Sequence, residues 1–256
     1  MSTTFLEGDL VLLIDRKQRR YLVTLSAGAS FHSHAGFVAH ELLIGEREGT
    51  TARSTGGAAY LAVRPTLADF VIEMPRGAQV IYPKDLGAIL IEADVFPGAR
   101  ILEAGVGSGA LSMTLLRAGA TVKGYELRED FAAKAQHNVR AFLGEEALAR
   151  YSVELRDVYD GIDERDLDRV VLDLPEPWRV VKHAEAALHV GGILLSYLPS
   201  VIQVAQLREA LDDSAFAMAQ TSEVLQRGWY VKGAAVRPDH RMVAHTGFLT
   251  TARLLG

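Results

Sequence analysis

Two hydropathic rhythms divide the chain. In the first 75 residues apolar runs are short and closely punctuated. Leu10-Val11-Leu12-Leu13-Ile14 and Tyr21-Leu22-Val23-Thr24-Leu25 flank Arg16-Lys17-Gln18-Arg19-Arg20, a pattern that predicts two strands of a hairpin with a basic turn. Short segments broken by Gly45, Gly49, Gly56 and Gly57 follow, and then Arg64-Pro65-Thr66-Leu67. Thr66 there predicts the N-cap of a helix over Leu67–Met74. From about residue 76 the rhythm changes. Strand-like runs at 100–104, 121–126, 151–155, 168–172 and 192–198 alternate with helical spacing at 84–93, 109–118, 129–143, 178–189 and 201–211. Such alternation predicts an α/β architecture with a mostly parallel sheet covered on both faces. Phe131, Ala135, Val139 and Phe142 recur at helical spacing and are assigned to the core. Residues 221–231 and 243–253 are two extended stretches with no helix between them, which predicts a closing antiparallel hairpin. Trp229 and Tyr230 fall within it and are assigned to the core or a subunit interface. The expected organisation is a small β-rich domain over 1–75 and an α/β domain over 76–256.

Composition narrows the class. The chain has 256 residues, 49% hydrophobic and 23% charged, with no cysteine. That is the balance of a soluble globular protein, without disulfides or thiolate metal sites. No apolar run approaches the roughly 20 residues needed to span a bilayer. The first residues, Met1-Ser2-Thr3-Thr4-Phe5-Leu6-Glu7, lack a basic segment followed by an apolar one, so no signal peptide is expected and a cytoplasmic location is. The net charge of −5 is unevenly spread: residues 220–256 carry five Lys/Arg against two Asp/Glu. Charge therefore permits a nucleic-acid partner without requiring one. His32, His34 and His40 have spacing that can hold a cation on a strand. With only Glu41 as a nearby acid, packing and hydrogen bonding within the small domain is the favoured assignment, and no metal is expected.

The candidate chemistry lies at four strand-to-loop junctions. The first is Glu103-Ala104-Gly105-Val106-Gly107-Ser108-Gly109. Gly105 and Gly107 allow a tight turn and close ligand approach, and Gly109 opens a helix whose amides favour polar groups. The second ends in Glu126, an acid placed to accept hydrogen bonds from the ribose of an adenosyl cofactor; nicotinamide dinucleotides and S-adenosylmethionine both carry that ribose. The third, Arg156-Asp157-Val158, offers an acid to an adenine amine. The fourth is Asp173-Leu174-Pro175-Glu176-Pro177-Trp178. Hydride transfer usually calls for a His, Tyr or Lys proton relay, and none stands here. A carboxylate beside prolines and an indole suits an exocyclic amine on a stacked base, which points to methyl transfer onto a nucleobase nitrogen.

These residues resemble the tRNA (adenine-58-N1)-methyltransferases in their bacterial and archaeal homo-oligomeric form. The likeness covers almost the whole chain. It includes Phe31-His32-Ser33-His34-Ala35-Gly36, Arg64-Pro65-Thr66, Gln79-Val80-Ile81-Tyr82-Pro83-Lys84-Asp85, the four junctions in order, and His245-Thr246-Gly247-Phe248-Leu249. The resemblance implies a class I methyltransferase fold with S-adenosyl-L-methionine as cofactor, tRNA as substrate partner, and a homotetramer. It also gives the N-terminal domain a part in RNA binding or assembly. It places Gly105, Gly107, Ser108 and Gly109 at the methionine part of the cofactor, and Glu103, Ala110 and Leu111 among the other cofactor-binding residues. Glu126 falls to the ribose, and Asp157 with Val158 to the adenine. Gln79 and Ile81 lie across the cofactor, Tyr82 faces the target base, and Asp173 acts as the principal catalytic residue while also bordering the cofactor. A methyltransferase acting on a small molecule or a protein is the alternative; it would share the glycine loop but have no use for the first domain.

Overall fold

The computed structural model describes residues 4–77 and 79–255. The chain forms two compact units, Met1–Pro75 and Arg76–Gly256.

In the first unit, β1 (Leu10–Asp15) and β2 (Arg20–Thr24) form the hairpin around the basic turn, with Val11 opposite Val23. β3 (Ser30–Ser33) and β4 (Gly36–Ala39) form a second hairpin. β5 (Thr51–Arg53) and β6 (Ala59–Val63) complete an antiparallel sheet of order β2-β1-β6-β5. Phe5, Val11, Leu13, Leu25, Val38, Leu43, Tyr60 and Ala62 are its core. The helix α1 (Leu67–Glu73) starts in a capping box: the Asp69 amide donates to Thr66 Oγ1 at 3.2 Å, and the Asp69 carboxylate accepts the Thr66 amide at 3.0 Å, so each satisfies an orphan donor of the other.

The second unit runs α2 (Pro83–Glu92), β7 (Arg100–Ala104), α3 (Ala110–Arg117), β8 (Thr121–Glu126), α4 (Glu129–Leu143), β9 (Tyr151–Leu155), β10 (Leu167–Leu172), α5 (Val181–Ala187), β11 (Leu188–Leu198), α6 (Val201–Asp212) and β12 (Phe216–Glu223). A two-stranded ribbon, β13 (Trp229–Lys232) with β14 (Ala235–Pro238), precedes the last strand, β15 (Phe248–Leu254). The seven-stranded sheet has the order β12-β15-β11-β10-β7-β8-β9. β9, β8, β7, β10 and β11 are parallel, and β15 inserts antiparallel between β11 and β12. This is the mostly parallel α/β sheet that the alternation predicts, in the class I methyltransferase-like form that the resemblance implies. The chain leaves β7 towards β8 and β9, then returns to the other side through β10 and β11. The switch point therefore falls between β7 and β10, where open parallel sheets form their ligand crevice.

Several boundaries differ from the expected ones. β12 begins at Phe216 rather than 221, because a bulge between Ala217 and Gln220, with Met218 at φ +57, interrupts the alternation that would reveal it. β12 ends at Glu223, and residues 229–238 form their own ribbon around Gly233 instead of one arm of the closing hairpin. Trp229 and Tyr230 are exposed on that ribbon, which removes them from the core. The helix expected over 178–189 is a 3-10 turn at Pro177–Val180 followed by α5, and the chain enters β11 already at Leu188. In α4, Phe131, Ala135 and Val139 are buried while Phe142 is only half-buried under Arg117.

Candidate active site

All four junctions lie at the carboxyl ends of parallel strands, along one edge of the sheet. Hydrogen bonds across that edge set the spacing: the Asp173 amide donates to the Ala104 carbonyl at 2.9 Å, Gly105 N to Tyr125 O at 3.1 Å, and Arg156 N to Glu126 O at 3.0 Å. Gly105 adopts φ +85, and a Cβ on it would lie 3.0 Å from the Asp173 carbonyl carbon and closer still to its oxygen. Only glycine lets the first loop lie against the fourth. Gly109, at φ +83, opens α3, and a Cβ there would sit 3.1 Å from the Ala135 backbone, so the close approach of α3 and α4 explains it. Gly107 differs. At φ +56 it has no atom within 4 Å of where a Cβ would be, and its surroundings are open to a ligand.

Glu126 closes the loop from β8. Its Oε2 accepts the Gly107 amide at 3.0 Å and its Oε1 the Arg128 amide at 2.9 Å. A carboxylate has about four lone-pair directions, so two remain. Asp157 is half-buried and caps the turn Val158–Asp160 by accepting the Tyr159 amide at 2.9 Å; Val158 is buried beneath it. Ala110, Leu111 and Ile81 are likewise buried, whereas Gln79 is exposed. Gly77 packs on Phe131 and Lys134 of α4, and Tyr82, half-buried, is the N-cap of α2. The extended segment that carries Gln79, Ile81 and Tyr82 thus runs from the start of α4 to the start of α2. Trp178 stands half-buried in the turn after Asp173.

Glu103 lies deeper than a ligand contact would. It is fully buried, and its Oε2 accepts the Ser112 hydroxyl at 2.6 Å, which lies 2.9 Å from the Tyr151 hydroxyl. Its Oε1 and the Ser108 hydroxyl are buried with no partner among the described residues. Burial pushes the Glu103 carboxyl up to about 8, against the Ser112 hydrogen bond and reinforced by Asp173. Asp173 itself rises to about 7, through burial first and then the charge of Glu126. Glu103 and Asp173 therefore share one poorly solvated edge, an arrangement that disfavours the charged forms of these two until a cation arrives.

The raised Glu103 carboxyl makes stability depend on pH. A carboxyl whose folded pKa exceeds its ordinary 4.5 binds its proton more tightly when folded, so stability falls as pH rises from about 4.5 to about 8. Glu103→Gln keeps the shape and removes the titration. Its melting temperature should exceed that of the wild type at pH 8 by more than it does at pH 5, each ~1 kcal/mol recovered being worth roughly 2–4 °C. An equal difference at both pH values would show that Glu103 is not held neutral.

Two sets of contacts at this edge are not announced by the local sequence. Tyr197, at the end of β11, is buried, and its hydroxyl donates to the Thr246 carbonyl at 2.7 Å. Burial pushes its phenol up to about 12, with Asp85, Asp173 and Tyr82 close enough to contribute. Lys84, Asp85 and Thr246 form a buried cluster beside it. The histidines of the first unit pack and hydrogen-bond: His40 Nδ1 accepts the Ser26 amide at 3.0 Å, His34 Nε2 lies 3.4 Å from the Arg19 guanidinium, and His32 lies against Phe37. Among the described residues no group of three or more His, Cys, Asp or Glu could hold a metal. No helix among them is long and apolar enough to cross a membrane.

Comparison with known proteins meets this geometry. Residues 58–237 match the family described as "tRNA methyltransferase complex GCD14 subunit", and residues 4–51 match "TrmI-like N-terminal". The chain is 39% identical over 246 residues to a tRNA (adenine(58)-N(1))-methyltransferase TrmI of Thermus thermophilus, covering 95% of this chain and 96% of that one. It is 34% identical to the tRNA (adenine(57)-N(1)/adenine(58)-N(1))-methyltransferase TrmI of Methanocaldococcus jannaschii, covering 95% and 94%. Among solved structures, the tRNA (m1A58) methyltransferase TrmI of Aquifex aeolicus superposes with a TM-score of 0.85 at 28% identity, over 99% of both chains. A Thermotoga maritima structure titled as a SAM-dependent O-methyltransferase superposes with a TM-score of 0.93 at 32% identity, over 99% of this chain and 96% of that one.

Proposed function

The chain belongs to the tRNA (adenine-58-N1)-methyltransferase family, and on that premise we propose that it transfers a methyl group from S-adenosylmethionine to N1 of adenosine 58 in tRNA, with Asp173 as the catalytic residue. The observation that carries the assignment of Asp173 is its position. It stands at the switch point, against the glycine loop, with its carboxyl raised to about 7, as active-site acids often are.

The residues fit the cofactor. Open space at Gly107, an unpartnered buried Ser108 hydroxyl and a set of under-ionised acids suit a polar, cationic ligand end. The two remaining lone-pair directions of Glu126 suit ribose hydroxyls, and Asp157 suits an adenine amine. When bound, S-adenosylmethionine supplies a sulfonium-activated methyl group. Glu103, by contrast, lies beneath the loop and supports it through its hydrogen bond with Ser112, without direct contact.

Adenine N1 has its own in-plane lone pair, so the protein need not remove a proton to make it nucleophilic. Its task is alignment and charge. Asp173, ionised, accepts a hydrogen bond from the adenine N6 amine, which raises electron density at N1 and stabilises the cationic purine that forms. Tyr82 holds the base by stacking or edge contact. The base must be extruded from the folded loop to reach them.

RNA affinity comes from phosphate contacts. In the first unit Arg16, Lys17, Arg19 and His34 ring a cavity of about 170 Å³ floored by Tyr60. Arg19 is held by Asp15 and Arg20 by Asp69, which leaves Arg16 and Lys17 as the cleaner probes. The double change Arg16→Glu with Lys17→Glu should weaken tRNA binding and flatten its salt dependence by roughly 0.7–0.9 in log–log slope for each phosphate no longer engaged. An unchanged slope would remove this patch from the interface. A homotetramer acting in the cytoplasm pools such patches, with Arg237 and Arg241 of each copy, and so gathers local positive charge although each chain carries a net charge of −5.

The Thermotoga maritima structure described as an O-methyltransferase favours one second reading, transfer to an oxygen acceptor. Methyl-labelled cofactor separates the two. Label should enter an unmodified tRNA transcript and fail to enter the same transcript with guanosine at position 58. Equal labelling of both, or of neither, contradicts the proposal.

A further inference from the structure

Lys84, the second residue of α2, is almost wholly buried, with 3% of its side chain exposed, and Asp85 beside it has 0%. An ammonium carries three hydrogens, and all three are placed. They go to Asp85 Oδ1 at 2.8 Å, to the Val224 carbonyl at 2.7 Å and to Thr246 Oγ1 at 2.5 Å. The Thr246 hydroxyl donates in turn to Asp85 Oδ2 at 2.6 Å, which closes a ring of lysine, threonine and aspartate.

Stability is a poor reason for such a cluster. Desolvation of a buried ion pair often cancels its attraction, and apolar replacements of equal volume are often neutral or better. What the cluster fixes is direction. Val224 directly follows β12, and Thr246 lies two residues before β15; they are the two feet of the excursion that carries the β13–β14 ribbon. A single ammonium ties both feet to the start of α2. That helix begins immediately after Tyr82, whose carbonyl receives the Asp85 and Leu86 amides at 2.9 and 3.0 Å. On the far side of the cluster, the Thr246 carbonyl receives the Tyr197 hydroxyl, and Gly247 presses on the Tyr197 ring so closely that no Cβ would fit. His245 strengthens the same foot, with Nδ1 2.7 Å from Glu223 and Nε2 3.0 Å from the Pro199 carbonyl. Tyr197 lies within electrostatic reach of Asp173 and Tyr82.

We propose that Lys84 is a positioning residue for methyl transfer: by fastening both feet of the ribbon to the helix behind Tyr82, it sets Tyr82 and Tyr197 relative to Asp173, so that placement of the target base, and not cofactor binding, depends on it. The inference rests on the assignment of Tyr82 and Asp173 to a tRNA adenine. The cofactor groups Gly107, Glu126 and Asp157 follow other strands, and the hydrogen bonds of the cluster reach neither them nor Gln79 and Ile81, which precede Tyr82 on its own segment.

The test uses the full chain. Lys84→Met is compared with wild type for S-adenosylmethionine affinity by calorimetry, and for single-turnover methylation of an unmodified tRNA transcript at saturating tRNA and cofactor. Both are measured at a temperature where circular dichroism shows each protein folded. The rate should fall at least about tenfold, since displacements near 1 Å at a reacting centre have effects up to about 100-fold, while cofactor affinity stays within about twofold. A rate within twofold of wild type, or a loss of cofactor affinity that matches the loss of rate, overturns the proposal. If Lys84→Met does not fold, Thr246→Val decides. It keeps the shape and removes the hydroxyl that bridges Lys84 and Asp85, and it should slow transfer at least threefold with cofactor affinity unchanged; an unchanged rate overturns the proposal. Wild type separates the two assignments. If it does not methylate tRNA the functional assignment fails, and if it does while the variants match it, only the role of Lys84 fails.

Discussion

Asp173→Ala should lower single-turnover methyl transfer by roughly 100- to 1000-fold, the range found when a group that stabilises developing charge is removed, while S-adenosylmethionine affinity should change little. The reason is the division of labour along the sheet edge. The glycine loop, Glu126 and Asp157 belong to β7, β8 and β9, whereas Asp173 follows β10 and, in the proposed mechanism, meets the acceptor. The pH dependence tests the same role independently. With its carboxyl raised to about 7, Asp173 is largely protonated below that pH and cannot accept the N6 hydrogen bond. Wild-type kcat/KM for S-adenosylmethionine, which reports the free protein, should therefore rise with pH through about 7, by up to tenfold per unit on the acid side, and level off above it. Asp173→Asn should be slow and flat across the same window. A wild-type profile that is flat from pH 5.5 to 8.5, or an alanine variant near the wild-type rate, contradicts the assignment.

Gly105→Ala comes second in expected effect. Its methyl group would meet the Asp173 peptide, a backbone contact that no rotamer change relieves, at a φ of +85 that L-residues adopt only with strain. Either the loop or the β10 junction must move, and both line the site. Cofactor binding by calorimetry and methyl transfer should both fall more than about 100-fold, because a 1 Å displacement is enough to forfeit that much alignment. Gly107→Ala is the informative contrast. It also carries a positive φ, but nothing stands near its Cβ position. It should cost about 1 kcal/mol of stability and leave the Asp173 loop in place, with its main effect on cofactor affinity. If the two alanine variants lose cofactor affinity equally while their melting temperatures match that of wild type, close packing against Asp173 is not what requires glycine at Gly105.

The sheet edge is legible in the sequence because each junction is local. A run of strand-forming residues followed by glycines or an acid signals where a parallel strand ends, so Gly105–Gly109, Glu126, Asp157 and Asp173 fall at the ends of β7 to β10. Glu103 shows the limit of that logic. Alternation along β7 turns it towards Ser112 and Tyr151, beneath the loop, and a motif does not distinguish a residue under a loop from one that lines it. The Lys84 cluster is invisible for another reason. Its partners are 140 and 162 residues away, and no short-range pattern records that β15 would return to α2. The ribbon Trp229–Pro238 is hidden by its neighbours, since a bulge at Met218 and the stretch 224–228 that parts β12 from β13 blur where β12 starts and stops. The aromatic pair on it then takes the appearance of core.

The most direct measurement is positional. Wild-type protein is incubated with S-adenosylmethionine and an unmodified tRNA transcript, the RNA is digested, and the modified nucleoside is identified and located by mass spectrometry, with Asp173→Ala in parallel. N1-methyladenosine at position 58 in the wild-type reaction, and its near absence with the variant, is the expected result. Methylation at another atom or class of acceptor, or N1-methyladenosine formed equally by both proteins, would contradict it.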